Sequence, residues 1–168
     1  MRTKLTLWRI LDKYLDEHFK AGMCGYLERL QLYEIINFII EAHEGQFRKS
    51  GEPYCVHPIL VACVTASFSK DEAVIATALL HDVVEDTSYT LDFVKDKWGS
   101  DIAHMVDGLT KIVEIREHEF VTPKDATNSK IISSALTFRK MLIASIDDAR
   151  VLIVKLCDRL HNMLTLSV

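Results

Sequence analysis

Residues 76–86 read ATALLHDVVED, an apolar helical pattern that abruptly delivers one imidazole and three carboxylates. His81 and Glu85 are four residues apart and therefore share a predicted helix face. Asp82 and Asp86 have the same spacing and share the adjacent face. Burying such groups without partners costs on the order of several kcal/mol, which folding alone gives little reason to accept. Because a bound cation would offset this cost, the stretch is predicted to belong to a metal or catalytic site.

A second apolar pattern, VLIVKLCDRLHN near the end of the chain, is interrupted by Asp158. Asp158, Asn162 and Thr165 stand at positions i, i+4 and i+7, which puts them on one stripe of one helix. Taken alone, Asp158 could also form a simple ion pair with its neighbour Arg159. A third polar position, His57, lies directly before a proline at a predicted helix start.

Helical periodicity recurs along most of the chain, and no segment has a convincing strand pattern. With 168 residues, of which 49% are hydrophobic, the chain is long enough for one globular domain with a proper core. We therefore predict a single all-α domain over residues 1–168, built from about eight helices. Caps are predicted at residues 69–72 and at Ser100, which follows a break at Gly99. The predicted helices cover residues 8–19, 27–44, 57–67, 71–85, 90–98, 102–115, 131–145 and 151–166.

Two segments interrupt these helices. Residues 45–53 read GQFRKSGEP, and their two glycines, proline and basic side chains predict a basic loop. Residues 116–130 lose the helical periodicity and contain the turn sequence TPKD, so they are predicted to form a long irregular segment. We expect this segment to be mobile and to govern access to the site, although a plain surface loop would have the same sequence pattern.

Composition excludes several classes of protein. The net charge of −4 and the pI near 6.0 argue against a broad grip on nucleic-acid phosphates, which needs a face rich in lysine and arginine. The longest apolar runs are too short to span a membrane and the first residues lack a signal-peptide core, so a cytoplasmic location is expected. The cysteines lack CxxC spacing and are expected to be buried free thiols: Cys24, Cys55, Cys63 and Cys157.

Longer motifs, taken together, resemble a known family. Residues 42–54 read AHEGQFRKSGEPY and are followed by His57-Pro58. Three later segments continue the similarity in the same order, and together the motifs extend from about residue 42 to 166. This set resembles the hydrolase domain of RelA/SpoT-type alarmone enzymes, which has the HD-superfamily helical fold. The later segments are residues 78–87 (ALLHDVVEDT), residues 106–111 (VDGLTK) and the stretch from 138–142 (FRKML) to 158–163 (DRLHNM).

The resemblance implies one divalent metal ion, typically manganese, held by His57, His81, Asp82 and Asp158. The ligand chemistry agrees independently, because two imidazoles and two carboxylates suit a borderline-to-hard ion. Zinc is also possible, but four protein ligands would fill its usual tetrahedron and leave no place for water unless its coordination expands. Manganese prefers six ligands and would keep two positions open.

The resemblance also implies an activity, the hydrolysis of the 3′-pyrophosphate of (p)ppGpp to give GDP or GTP and pyrophosphate. Water made more acidic by the cation would attack phosphorus. Glu85 and Asp86 look like the catalytic acidic pair that handles the protons, and the sequence leaves open which carboxylate does which. The residues implied to contact the guanine nucleotide are Arg48, Lys49 and Ser50 in the basic loop and Asn162 and Thr165 on the last helix.

Two departures from the family pattern stand out. Leu164 follows Met163 where the family usually has an arginine, which puts one charged contact in doubt. The chain also stops soon after the last motif, whereas related hydrolase domains continue through further helices. We therefore expect the sequence to be an N-terminal piece of a longer protein that also carries a synthetase domain.

Two other functions remain open from the sequence. The first is a phosphohydrolase acting on another nucleotide, because HD proteins share the metal chemistry, and only the sequence RKSGEP in the basic loop favours the alarmone. The second is a regulatory domain without catalysis that binds nucleotide or contacts the synthetase half. Relatives with synthetase activity alone lose the His-Asp doublet, so the intact His81 and Asp82 favour a hydrolase.

Overall fold

The structure, a computed structural model, describes residues 30–118 and 147–165. This part of the chain forms seven helices and no named strand, which confirms the all-α prediction. The single β-type contact within these two ranges is an isolated bridge between Phe47 and Pro53 in the basic loop. The helices are α1 (Leu30–Ala42), α2 (Val56–Phe68), α3 (Glu72–Leu80), α4 (Val83–Asp86), α5 (Leu91–Trp98), α6 (Ser100–His118) and α7 (Ala149–Thr165).

Helix α3 occupies the centre of the bundle and packs against α1, α2, α6 and α7. Its residues from Val74 to Leu80 are all buried, including the threonine among them. Because four helices surround α3, its sequence is apolar on every side rather than amphipathic. Helix α1 has a one-sided pattern and packs the buried side chains of Leu32, Ile35 and Ile39 into the same core.

The central helix ends earlier than the sequence predicts. A continuous helix over residues 71–85 was expected, but α3 stops at Leu80, His81 and Asp82 form a turn, and α4 begins at Val83. The ring of His81 donates from Nδ1 to the carbonyl of Ala78 at 2.8 Å. In an uninterrupted helix that carbonyl would accept from residue 82, so the histidine competes with the helical ladder where the helix breaks.

Two of the predicted helix-end signals are confirmed and two are corrected. Asp71 caps α3 by accepting from the backbone N–H of Ala73 at 2.9 Å, as expected. Gly99 separates α5 from α6 with a φ of +98°, a conformation that favours glycine. Ser100 is the first residue of α6 rather than its cap, so that prediction was wrong by one residue. Helix α6 also extends to His118, which corrects the predicted irregular start at residue 116.

The remaining predictions on helices and loops fall partly outside the described residues. The predicted helices 8–19 and 131–145 lie there entirely, as do residues 119–130 of the predicted irregular segment and Cys24. Cys55, Cys63 and Cys157 are buried free thiols, as predicted. Burial raises the pKa of Cys63 to about 12, so this thiol stays protonated at neutral pH. Within the part of the chain that the structure describes, no helix has the length and apolar character needed to span a membrane.

The start of α7 is fixed against α6. Arg150 donates to Asp101 at the start of α6 at 2.6 Å and to Asp148 at 2.8 Å. A few residues along, Gly108 of α6 faces the buried Val151 of α7. A Cβ atom added at Gly108 would lie 3.1 Å from the Val151 Cγ2 atom. The two helices therefore approach each other more closely there than a larger side chain would allow.

Candidate metal centre and its surroundings

Two histidines and two aspartates meet where α2, the turn between α3 and α4, and α7 come together. His57 Nε2 lies 3.5 Å from an Asp82 oxygen and 3.4 Å from an Asp158 oxygen. His81 Nε2 lies 3.0 Å from the other Asp82 oxygen and 3.9 Å from Asp158. One ligand atom each from His57, His81 and Asp158 falls within 4.8 Å of the others. The four residues predicted to bind metal therefore converge, and their role as ligands stays a prediction.

The hydrogen bonds of the His81 ring indicate whether these residues suit a cation. Because its Nδ1 donates to the Ala78 carbonyl, the neutral ring has a lone pair on Nε2. This Nε2 atom is buried and has no hydrogen-bond partner among the described residues. A buried lone pair beside carboxylate oxygens is unfavourable unless a cation lies between them. The donor set fits a divalent metal ion.

The pKa values in the cluster agree with this need for positive charge. Burial alone would lower the pKa of His81, but the carboxylates of Asp82 and Asp158 outweigh it and raise the pKa to about 9. Burial would raise the pKa of Asp158, but His57, His81 and Lys155 hold it at about 2. Without metal the site therefore attracts a proton, which a metal ion would replace.

Asp158 has a buried partner that the sequence did not indicate. The ammonium of Lys155, one turn earlier on α7, lies 3.3 Å from an Asp158 oxygen, and both residues are buried. The ion pair predicted as an alternative involved Arg159, whereas the observed partner is Lys155. Asn162 donates to the other Asp158 oxygen at 2.6 Å, so the carboxylate is held from two sides.

Tyr54 joins one predicted ligand to one predicted catalytic residue. Its hydroxyl lies 2.8 Å from an Asp82 oxygen and 2.5 Å from an Asp86 oxygen. Burial and the two carboxylates raise the pKa of Tyr54 far above its usual value, so the phenol keeps its proton. Since the hydroxyl has one hydrogen, it can donate to only one of the two carboxylates at a time.

The second predicted catalytic residue, Glu85, lies on α4 at the solvent-exposed edge of the cluster. Desolvation by the surrounding protein and the charge of Asp82 raise its pKa to about 7, although Lys155 and His81 act in the opposite direction. A carboxyl group with this pKa can both take up and release a proton near neutral pH.

The predicted substrate contacts lie beside the cluster, and one arginine joins them. Arg48 donates to the Asn162 side-chain oxygen at 2.9 Å and to the Thr165 hydroxyl at 3.4 Å. Its other terminal nitrogen lies 3.0 Å from His57 Nδ1. The neighbouring Lys49 and Ser50 are exposed, at the tip of a turn that Gly51 closes with a φ of +84°. Leu164, at the position where the resemblance implies an arginine, is exposed with 63% of its surface accessible.

Sequence reasoning missed three residues of this neighbourhood: Tyr54, Lys155 and His161. His161 is buried on α7, and its Nδ1 lies 2.8 Å from His57 Nδ1. All three belong to motifs quoted above, but only Lys155 carries a signal of its own, a charged side chain within an apolar helix pattern. The other two gain their roles from contacts across helices.

Comparisons with known proteins agree with this arrangement. A family model described as an HD domain matches residues 36–168. A protein of Haemophilus influenzae named guanosine-3′,5′-bis(diphosphate) 3′-pyrophosphohydrolase is 44% identical over 127 residues, which is 76% of this chain and 17% of that protein. The bifunctional (p)ppGpp synthase/hydrolase SpoT of Escherichia coli K12 is 43% identical over 157 residues, 92% of this chain and 21% of its own length.

Another relative and one solved structure extend these findings. A Myxococcus xanthus protein named GTP pyrophosphokinase is 47% identical over 76% of this chain and 16% of its own length. A solved structure described as a metazoan ortholog of SpoT that hydrolyses ppGpp superimposes with a TM-score of 0.60 at 24% identity, covering 82% of this chain and 71% of that one. That likeness supports the fold. The chain spans between 16% and 21% of the length of the three relatives named here.

Proposed function

The chain belongs to the HD domain family, and from that membership we propose that it hydrolyses (p)ppGpp at the 3′-pyrophosphate. The products are pyrophosphate and GDP or GTP. The observation that carries the proposal is the approach of the Nε2 atoms of His57 and His81 to two aspartates directly beside Arg48. The Haemophilus influenzae relative is named for this same reaction, which supports the choice of substrate.

The proposed cofactor is one Mn²⁺ ion, bound by His57, His81, Asp82 and Asp158. When bound, a divalent ion supplies Lewis acidity that neutralises phosphate charge and makes water a better nucleophile. The protein holds the ligands in advance: Ala78 orients His81, Tyr54 contacts Asp82, and Asn162 and Lys155 contact Asp158. Such supporting contacts lower the cost of ordering the ligands when the ion binds.

The reaction requires two proton movements, which we assign to Glu85 and Asp86. A water oxygen bonds to the phosphorus attached to O3′ while the bond between that phosphorus and O3′ breaks. The water must lose a proton and O3′ must gain one. Glu85, with a pKa near 7, is suited to take the proton from water. Asp86, which is hydrogen-bonded to Tyr54, is assigned the delivery of a proton to O3′, and the proton that Glu85 took from water replaces it at the end of the cycle.

Substrate binding is proposed to involve Arg48, Lys49, Ser50, Asn162 and Thr165. Arg48 offers a planar cation that can stack on guanine or grip a phosphate. The Arg48 guanidinium donates hydrogen bonds to Asn162 and Thr165, so these three side chains form one polar patch. A nucleotide would therefore meet cation, amide and hydroxyl together, next to the proposed metal ligands.

We also propose that residues 1–168 work as the hydrolase domain of a cytoplasmic protein with a separate synthetase domain. The Escherichia coli relative is named as a bifunctional synthase/hydrolase, and it is several times longer than the matched region. Its name supports a second activity outside the region that this chain matches.

The decisive experiment incubates the purified chain with ppGpp and Mn²⁺ and identifies the products by ion-exchange chromatography. We expect equal amounts of GDP and pyrophosphate from the wild type. Asp82→Asn should form neither product, while Asp96→Asn, a matched exposed change on α5, should behave as wild type. Turnover of dGTP or a cyclic dinucleotide with no turnover of ppGpp would favour another nucleotide hydrolase. Tight ppGpp binding without any product would favour the regulatory alternative.

A further inference from the structure

His161 has no part in the ligand set or in the proposed substrate contacts, yet it is buried against both. Its side chain is 5% exposed on α7, one turn after Asp158. Its Nδ1 lies 2.8 Å from His57 Nδ1 and 3.3 Å from a terminal nitrogen of Arg48, and the two imidazole centroids are 4.9 Å apart. His161 therefore contacts both the proposed metal ligand His57 and Arg48 of the basic loop.

The two Nδ1 atoms can share only one hydrogen. At 2.8 Å one of them must donate and the other must accept, so the pair has two proton arrangements. If His57 Nδ1 donates, the lone pair of His57 is on Nε2, the atom that faces Asp82 and Asp158. If His161 Nδ1 donates instead, His57 carries its proton on Nε2 and cannot coordinate a metal there.

Arg48 cannot take the place of His161. The guanidinium can only donate, and it lies 3.0 Å from His57 Nδ1 and 3.3 Å from His161 Nδ1. When His57 Nε2 coordinates a cation, the hydrogen of this neutral ring is on Nδ1 and needs an acceptor. His161 Nδ1, at 2.8 Å, can be that acceptor, whereas Arg48 meets the same N–H as a second donor. Without His161, the N–H of His57 would face the Arg48 guanidinium, which favours the tautomer with the proton on Nε2.

We propose that His161 is a positioning residue for the metal ligand His57. Its Nδ1 accepts the Nδ1 proton of His57 and so leaves the Nε2 lone pair of His57 free for the cation. The inference rests on the metal site of the proposed function and adds a residue that selects the binding tautomer. Partners of this kind commonly change metal affinity by about 10- to 100-fold.

The test compares three changes at His161. His161→Leu removes the acceptor and keeps much of the volume. His161→Asn puts an amide oxygen close to the position of Nδ1, whereas His161→Gln carries it one bond further out. Leu160→Ala, on the more exposed side of α7, is the matched control. Mn²⁺ affinity is measured by titration with electron paramagnetic resonance, and thermal melting establishes that each variant folds.

We expect the affinity for Mn²⁺ to fall about 10- to 100-fold in His161→Leu and in His161→Gln, and to stay within about threefold of wild type in His161→Asn and Leu160→Ala. Equal affinities in His161→Leu and wild type would overturn the proposal. So would an equal loss in His161→Asn and His161→Leu, because the acceptor would then be irrelevant.

A second measurement uses the wild type loaded with Zn²⁺ as a diamagnetic divalent ion, and it does not depend on activity or on any variant folding. Long-range ¹H–¹⁵N spectra of the imidazoles at pH 8 should show His57 protonated at Nδ1 and His161 unprotonated at Nδ1. A proton on His161 Nδ1 in the loaded protein would contradict the inference. A wild type that binds Mn²⁺ with this tautomer but leaves ppGpp intact would overturn the proposed function and leave the role of His161 standing.

Discussion

Glu85 differs from the four proposed ligands because it is exposed at the edge of the cluster while they surround its centre. Glu85→Gln removes the titrating group and keeps its size. We expect the variant to bind Mn²⁺ as tightly as wild type but to turn over ppGpp about 10²- to 10⁴-fold more slowly, the usual contribution of general acid–base catalysis. Single-turnover rates and metal titrations check this, with Glu34→Gln on the exposed side of α1 as control. A near wild-type rate across the pH range would show that a group other than Glu85 transfers the proton.

Single residues also show how far the sequence could predict the site. The sequence could single out His81, Asp82 and Glu85 as candidates because their spacing and their resemblance to a family point to the same chemistry. Tyr54 and His161 could not, since their importance arises from contacts between helices. His161 and His57 are 104 residues apart, and no local pattern relates two positions at that separation.

At the scale of helices, periodicity predicted where most elements lie but not where α3 stops. No glycine or proline interrupts residues 71–85, so a single helix was the natural prediction. The break depends on the ring of His81 reaching back to Ala78, a side-chain choice that the sequence does not reveal. Asp82 lies in the same break and meets His57 of α2.

The close approach of α6 and α7 can be tested at Gly108. Gly108→Leu should push against the buried Val151 and lower the free energy of unfolding by about 1–3 kcal/mol. Gly108→Ala should be nearly neutral, because a gain of about 1 kcal/mol in helix propensity offsets the milder contact. Urea unfolding measures both, and Gly108→Leu combined with Val151→Ala should recover part of the loss. Full stability of Gly108→Leu alone would show that the helices can separate without cost.

The ion-pair cluster at the start of α7 should make stability depend on pH. Hydrogen bonds from Arg150 hold the pKa values of Asp101 and Asp148 below their ordinary range. Groups with lowered folded-state pKa values stabilise the protein above their ordinary pKa, and this contribution disappears as the pH falls through the lowered values. The pairs are partly exposed, so Arg150→Met should cost on the order of 1 kcal/mol at pH 7.

That cost is expected to shrink as the pH falls below about 4, the ordinary aspartate pKa. Denaturant unfolding of wild type and Arg150→Met at pH 7 and pH 3 measures the difference directly. Lys95→Met, an exposed change on α5, should show no such trend. A difference that grows toward acidic pH would mean that the carboxylates are not stabilised by Arg150.

For the whole molecule, metal binding should be visible as stability. A ligand that binds only the folded state at 100 times its dissociation constant adds about 2.7 kcal/mol, which for a domain of this size corresponds to a rise in Tm of about 5–10 °C. Differential scanning calorimetry with and without Mn²⁺ measures the rise. Asp82→Asn should abolish the increase along with the activity. An equal increase in wild type and Asp82→Asn would indicate that the ion binds elsewhere.

The order in which the chain assembles follows from where the proposed ligands lie along it. His57 and Asp158 are about 100 residues apart, so an ion can bridge them only after α2 and α7 have met, which is late in folding if long-range contacts form last. Mn²⁺ would then slow unfolding far more than it accelerates refolding, because its contacts are absent from the transition state. Stopped-flow chevrons recorded with Mn²⁺ and with chelator should share their refolding limbs and separate on the unfolding side. A domain built this way would unfold slowly while the ion is bound and return to its intrinsic unfolding rate whenever the ion is lost.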